Sequence, residues 1–209
     1  TDMSEMFYIQ SPWMWWGKNQ GSIFNQDISK WNTSKVTNMS GMFFYAVVFN
    51  QPINTRTVTR QDGTTYTAWD VSNVTNMSGM FRSAWEFNQD ISNWNTSNVT
   101  NMQQMFKNCY EFNQPINTKQ VTKNGTTYTA WNVSKVTNMY EMFEDARVFN
   151  SDISNWDVSN VTNMYRMFRG AEKFNNGEAS GESNKPLNWS TENVTNMYQM
   201  FFYAKSFNQ

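Results

Sequence analysis

Apolar and polar positions follow one another in this chain according to a template that recurs. The template reads W-[ND]-x-S-x-V-T-N-M-x-x-M-F-x-x-A-x-x-F-N with few departures, and its tryptophans are Trp31, Trp69, Trp94, Trp131, Trp156 and Trp189. Each tryptophan is followed 18 residues later by a phenylalanine: Phe49, Phe87, Phe112, Phe149, Phe174 and Phe207. A partial copy opens the chain with Met3, Met6 and Phe7, so M-x-x-M-F occurs seven times. In the copy from Trp31, Val36, Met39, Met42, Phe43 and Ala46 fall at offsets of 0, 3, 6, 7 and 10. At about 100° per residue these lie on one side of a helix, which predicts a helical segment of about two to three turns. Ser34, Thr37 and Asn38 stand where short polar side chains can cap its free N–H groups. So short a helix is unstable alone and must be held by packing. The segment that follows, Phe87-Asn-Gln-Asp-Ile91 and its equivalents, reads with period two as a short strand.

The shortest interval between copies is 25 residues, from Trp69 to Trp94 and from Trp131 to Trp156. Longer intervals carry inserts. Those at 55–68 and 118–130 are related and contain Asp62-Gly63 and Asn124-Gly125 between β-branched and aromatic residues, which predicts two β-hairpins. The insert at 176–185 is rich in Gly, Glu and Ser and reads as a mobile loop. The expected organisation is one repeat domain over 1–209. A partial repeat occupies 1–30, with its own insert at 8–23, and full repeats start at 31, 69, 94, 131, 156 and 189. One strand and one short helix per copy place the fold in the α/β class. Copies would stack with strands about 4.8 Å apart and like side chains in columns, including an asparagine column bonded amide to amide.

Composition narrows the chemistry. Lys+Arg total 16 and Asp+Glu 17, a net charge of −1, which argues against a polybasic nucleic-acid or membrane binder. There is no histidine, which excludes Ser-His-Asp and Cys-His catalysis and His-ligated metals. No apolar run reaches the roughly 18 residues of a membrane span. One leucine against 15 Met, 16 Phe and 10 Trp fits a core built from a repeated template. Cys109, the single cysteine, stands where other copies have Ala46, Ala84, Ala146, Ala171 and Ala204, and reads as a core thiol.

The motif V-T-N-M-x-x-M-F-x-x-[AC]-x-x-F-N-Q-[DP]-I-x-x-W resembles that of the BspA-like leucine-rich-repeat surface proteins, in the branch found in mycoplasma surface lipoproteins and marine microbes. The resemblance covers nearly the whole chain outside the inserts. It implies a right-handed solenoid related to leucine-rich repeats, exposure on a surface and a link to adhesion. It implies no enzymatic activity and no fixed functional residues. Phe, Met, Ile and Trp replace the leucines of the general pattern.

Candidate sites are weighed against packing. The Met-x-x-Met pairs could bind a soft metal, but their helical phase favours burial. Asn32-Thr-Ser34 and Asn73-Val-Thr75 match the N-glycosylation pattern, yet recur because the template recurs. Tyr140, Tyr165 and Tyr198 occupy one place in three successive copies and form a stripe that could contact a glycan or a protein, or pack laterally. Trp13, Trp15 and Trp16, with Met14, form the densest apolar cluster outside the template. The variable positions Phe44, Arg82, Lys107, Glu144, Arg169 and Phe202 are expected on the exposed face, as is the pair Glu144-Asp145, while Glu178 and Glu182 are expected in solvent.

The leading expectation is a non-enzymatic, extracellular or cell- or virion-surface repeat protein that acts as a structural or adhesive interaction module. Neither end shows a capping repeat, so a longer array or assembly into a filament, surface layer or appendage is expected. Its partners would be proteins or copies of itself, with no cofactor, metal, nucleic acid or membrane span. The alternative is a carbohydrate-binding surface protein that uses exposed aromatic residues.

Overall fold

The computed structural model describes residues 1–8, 21–123 and 125–209. The asparagine of each V-T-N-M segment, with Asp2 in the opening copy, forms a parallel bridge to the next copy, in the order Asp2, Asn38, Asn76, Asn101, Asn138, Asn163, Asn196. From there a backbone ladder runs copy to copy. The N–H groups of Met39, Gly41, Phe43 and Tyr45 donate to the carbonyls of Asn76, Ser78, Met80 and Arg82, at 2.8–2.9 Å. The intervening N–H groups turn back within their own copy: Met42 to Met39, Phe44 to Gly41 and Ala46 to Phe43.

This arrangement overturns the expected α/β class. Among the described residues there is no helix, and the strands number four, in two antiparallel two-stranded sheets. A right-handed, leucine-rich-repeat-like solenoid of strand-plus-helix units is therefore not what forms. The stretch read as a helix over 36–46 is a run of overlapping β-turns. The cause is a left-handed residue twice per copy: Gly41 (φ 59°) and Tyr45 (φ 57°), then Gly79 and Ser83, Gln104 and Asn108, Glu141 and Asp145, Arg166 and Gly170, Gln199 and Tyr203. A positive φ at the third residue of a turn suits a type II turn and cannot occur inside a right-handed helix. Every second N–H is thereby aimed at the next copy instead of at residue i−4. The segments read as strands, such as Phe87–Ile91, form no ladder.

Side chains stack as the template repeats. Phe43, Phe81, Phe106, Phe143, Phe168 and Phe201 form one column with centroids 5.4–5.6 Å apart. Phe49, Phe87, Phe112, Phe149, Phe174 and Phe207 form a second beside it, about 4 Å away within each copy. Trp69, Trp94, Trp131, Trp156 and Trp189 form a third. The methionines of the central copies and Cys109 are fully buried among them.

Polar template residues are consumed by the same stacking. Thr100 sends both its N–H (2.9 Å) and its hydroxyl (3.2 Å) to the Thr75 carbonyl, and the other threonines of the column repeat this. The asparagines of the Phe-Asn pairs are not joined amide to amide. The side-chain carbonyl of each accepts the backbone N–H of the next, Asn50 from Asn88 and Asn88 from Asn113, and so on to Asn208. The amide carbonyl thus replaces a missing main-chain ladder.

The two hairpins stand on one edge. β1 (Arg56–Thr59) pairs with β2 (Thr65–Ala68), and β3 (Lys119–Lys123) with β4 (Thr126–Ala130). Gly63 (φ 80°) closes the first turn, with its N–H on the Arg60 carbonyl and the Arg60 N–H on the Thr64 carbonyl. Each hairpin is tied back by a tyrosine hydroxyl: Tyr66 to the Lys30 carbonyl and Tyr128 to the Asn93 carbonyl. Asn124 lies outside the described residues. The insert at 176–185, expected as a mobile loop with solvated acids, is tied down at its base, and of its two glutamates only Glu182 is exposed as expected. Asn175 and Asn176 are fully buried, and Glu178 is 9% exposed and accepts from the Asn184 N–H and from Gln209.

Candidate functional site

The four x positions of each M-x-x-M-F-x-x-[AC] segment differ between copies. They form columns on one lateral face. Tyr140, Tyr165 and Tyr198 continue a column that begins with Ser4, Ser40, Ser78 and Gln103. Their rings lie flat on one another, 5.0 Å and 5.6 Å between centroids, tilted by 6° and 19°. Face-to-face stacking hides the ring faces and leaves edges. Tyr198 alone in the stripe is exposed, at 59%. The tyrosines are thus brought together, but as lateral packing between copies and not as an open row of platforms. Trp13, Trp15 and Trp16 lie outside the described residues.

The next variable column reads Phe44, Arg82, Lys107, Glu144, Arg169, Phe202. Of these only Phe202 is exposed as expected; Phe44, Arg82, Lys107 and Arg169 are half-buried and Glu144 is buried. Arg82 lies over the Phe44 ring at 4.9 Å and Arg169 over Phe202 at 5.8 Å. Lys107 Nζ is 2.5 Å from Glu141 Oε2 and from Glu144 Oε2, and Arg169 Nη1 is 2.7 Å from Glu144 Oε1. Both glutamates are buried at 3% exposure, so Glu144 does not belong to a solvent face. Asp145 beside it is half-buried. Two acids and two cations from three successive copies make a charge-balanced cluster. Burial pulls the Glu141 carboxyl upward, but hydrogen bonds from Lys107, Gln104 and Tyr140 outweigh it and hold the group at about 2. The same contact with Glu141, together with burial, pushes the Tyr140 hydroxyl up to about 12. Ion pairs of this kind fix the register between copies more than they add stability. Helical phase pointed Glu144 outward, and no spacing within a single copy pairs residues 107, 141, 144 and 169.

The remaining candidates resolve into packing. Cys109 is fully buried, its Sγ 2.9 Å from the Phe81 carbonyl, and burial pushes the thiol well above its ordinary range. Asn73 spends its Nδ2 on the Ser34 carbonyl at 2.8 Å, the nitrogen a glycan would need. Asn32 folds its side-chain carbonyl onto the Ser34 N–H and hydroxyl. Among the described residues no group of three or more His, Cys, Asp or Glu converges as a metal site, and no helix is long and apolar enough to cross a membrane.

A family model described as a mycoplasma protein of unknown function, DUF285, matches residues 1–128 and 119–209. No curated protein and no solved structure matches.

Proposed function

Because the chain belongs to the DUF285 family of mycoplasma proteins of unknown function, we propose that it is a non-enzymatic scaffold: a structural or adhesive interaction module presented outside the cell or on a cell or virion surface. Membership of the V-T-N-M-x-x-M-F branch of BspA-like surface proteins is part of this reading. The observation that carries it is the division of labour within the repeat. Template residues are spent on copy-to-copy stacking, while the variable x positions of the M-x-x-M-F-x-x-[AC] segments line up in columns along one lateral face. A catalytic site would break the repeat at one place; here variation is spread along a whole face.

A second feature supports association with units of the same template. Each copy donates its ladder N–H groups to the next. Those of Met197, Gln199, Phe201 and Tyr203 have no acceptor among the described residues. Beside them Met197, Tyr198, Phe202 and Tyr203 are 42–64% exposed. Unpaired ladder donors flanked by apolar side chains are a template for adding another unit, whichever chain supplies it. Sedimentation velocity of the 209-residue chain over a wide concentration range tests this. Larger species should grow with concentration and vanish in a Met197→Glu, Phe202→Glu double variant. A strict monomer at every concentration would remove self-association from the proposal. The alternative, glycan binding on an exposed aromatic row, is disfavoured by the stacked tyrosine rings.

A further inference from the structure

A cavity of about 300 Å³ opens between the two hairpins, lined by Thr55, Thr67, Asp70, Ser72, Asn95, Lys123, Thr126 and Tyr128. Its size is at the lower end for small-molecule pockets. Three features set it apart from the rest of the surface. First, Lys123 Nζ is buried at the tip of β3 with no hydrogen-bond partner among the described residues. An ammonium in that state gives up hydration without compensation unless something else fills the gap. Second, Asp70 shares the wall but forms no ion pair with it; one carboxylate oxygen takes the Ser72 N–H and the other has no partner among the described residues. Burial pulls the Lys123 ammonium down and the field of Asp70 raises it, as expected of two charges that sense one another across a gap. Third, uncommitted polar groups surround the pair. Asn95 uses its carbonyl on Ser97, and among the described residues no partner engages its amide nitrogen or the hydroxyls of Ser72, Thr67 or Thr126.

The wall is thus neutral in sum and mixed in kind. It offers a donor-only ammonium, an acceptor-only carboxylate, an amide donor and several hydroxyls that do both. An anion would meet Asp70 and a cation would meet Lys123. A ligand made of neutral hydroxyls, each donating and accepting at once, suits every group, and the Tyr128 ring supplies an apolar surface. We propose that the cleft between the hairpins binds one neutral sugar residue, with Lys123, Asp70 and Asn95 making the directional contacts. The construction explains why the two hairpin inserts resemble each other and flank one intervening copy: both are needed to wall the cleft. The proposal goes beyond the scaffold reading and uses none of the residues invoked there.

Saturation-transfer NMR on the whole chain with methyl α-mannoside, methyl β-galactoside, methyl β-glucoside and N-acetylglucosamine tests it, with sodium glucuronate and glycine as charged controls. The expected result is transfer to at least one neutral sugar, with amide shifts confined to residues 67–72, 95 and 123–128. Affinity should fall at least tenfold in Lys123→Met and in Asp70→Asn, with thermal midpoints unchanged. Thr126→Ala, at an exposed position, gives a milder variant should either of those unfold. No transfer from any neutral sugar overturns the proposal. So does binding that survives both substitutions, and so does binding of the charged controls alone.

Discussion

Trp94 donates its indole N–H to the carbonyl of Ile53, two repeats back along the chain and 3.0 Å away, and both residues are fully buried. Trp69, Trp131 and Trp156 make the same bond to Ile28, Ile91 and Ile116. This contact explains why the template keeps tryptophan where another large apolar residue would fill the same space. Trp94→Phe strands a buried carbonyl and should destabilise the chain by about 1–3 kcal/mol. Trp189 is the control, since its Nε1 is buried with no partner among the described residues. Trp189→Phe should cost distinctly less, or nothing. Urea unfolding of the two variants reads the difference, and equal losses would mean that the columns hold by ring packing alone.

Lys107 bridges Glu141 and Glu144 and is itself only 18% exposed in its side chain. A residue expected on an open face would tolerate substitution at a cost near 0.5 kcal/mol. Here Lys107→Met leaves two buried carboxylates sharing one cation, Arg169. The loss should be about 3–5 kcal/mol, the range seen when one partner of a buried pair is removed. That matches the cost of truncating a core ring such as Phe106→Ala, about 3–5 kcal/mol. Arg169→Met should cost less, because Arg169 is 33% exposed and water can replace part of its bond. Differential scanning calorimetry of the three variants ranks them.

The copy-to-copy spacing was legible in the sequence because stacking leaves its mark as strict recurrence. Asn38, Asn76, Asn101, Asn138, Asn163 and Asn196 stand at the intervals that the bridges join. The backbone between them was misread for a physical reason. Overlapping four-residue β-turns return to one side every three to four residues, as a helix does, so Val36, Met39, Met42, Phe43 and Ala46 fit both. The signal that separates the two was present in Gly41, Gly79 and Gly170. Glycine recurring at two fixed places in a supposed helix disfavours it and marks a positive φ. The lateral charge cluster was hidden more deeply. Its members come from three copies and meet only after stacking, so no pattern within one copy connects Lys107 to Glu141. The cleft between the hairpins was hidden likewise, since Asp70 and Lys123 are 53 residues apart.

Acid should reveal the Glu141 contact. Its carboxyl is held at about 2 in the folded chain against an ordinary value of 4.5. The unfolded chain therefore takes up the proton first as pH falls. The stabilisation is complete above about pH 5 and is lost progressively as pH falls through about 2. Glu141→Gln removes this dependence: its stability should be lower at pH 7, and the gap to the parent should close between about pH 5 and pH 2. Thermal midpoints measured at half-unit pH steps give the curve. A gap that is constant with pH would show that Glu141 contributes by packing and not by charge.

Gly21 tests how firmly the opening copies are seated. A Cβ built there would collide with the Tyr45 carbonyl oxygen and with Val47 Cγ1. That carbonyl cannot swing away freely, because it accepts the Ser22 N–H at 2.7 Å, and the N–H of Tyr45 itself is committed to Arg82. Gly79 supplies the comparison. Its φ is 58°, but the nearest atom to an added Cβ is 3.9 Å away, and other copies carry Gln104 or Glu141 at the same place. Gly79→Ala should therefore cost no more than about 1–2 kcal/mol of backbone strain. Gly21→Ala adds a collision with backbone, and overpacking that forces such shifts costs about 1–3 kcal/mol or more. Its effect should also be local, with faster amide exchange at Ser22, Tyr45 and Val47 and little change around Phe143 or Phe168. Equal exchange rates in the two variants would mean that residue 21 does not sit against Tyr45 in solution.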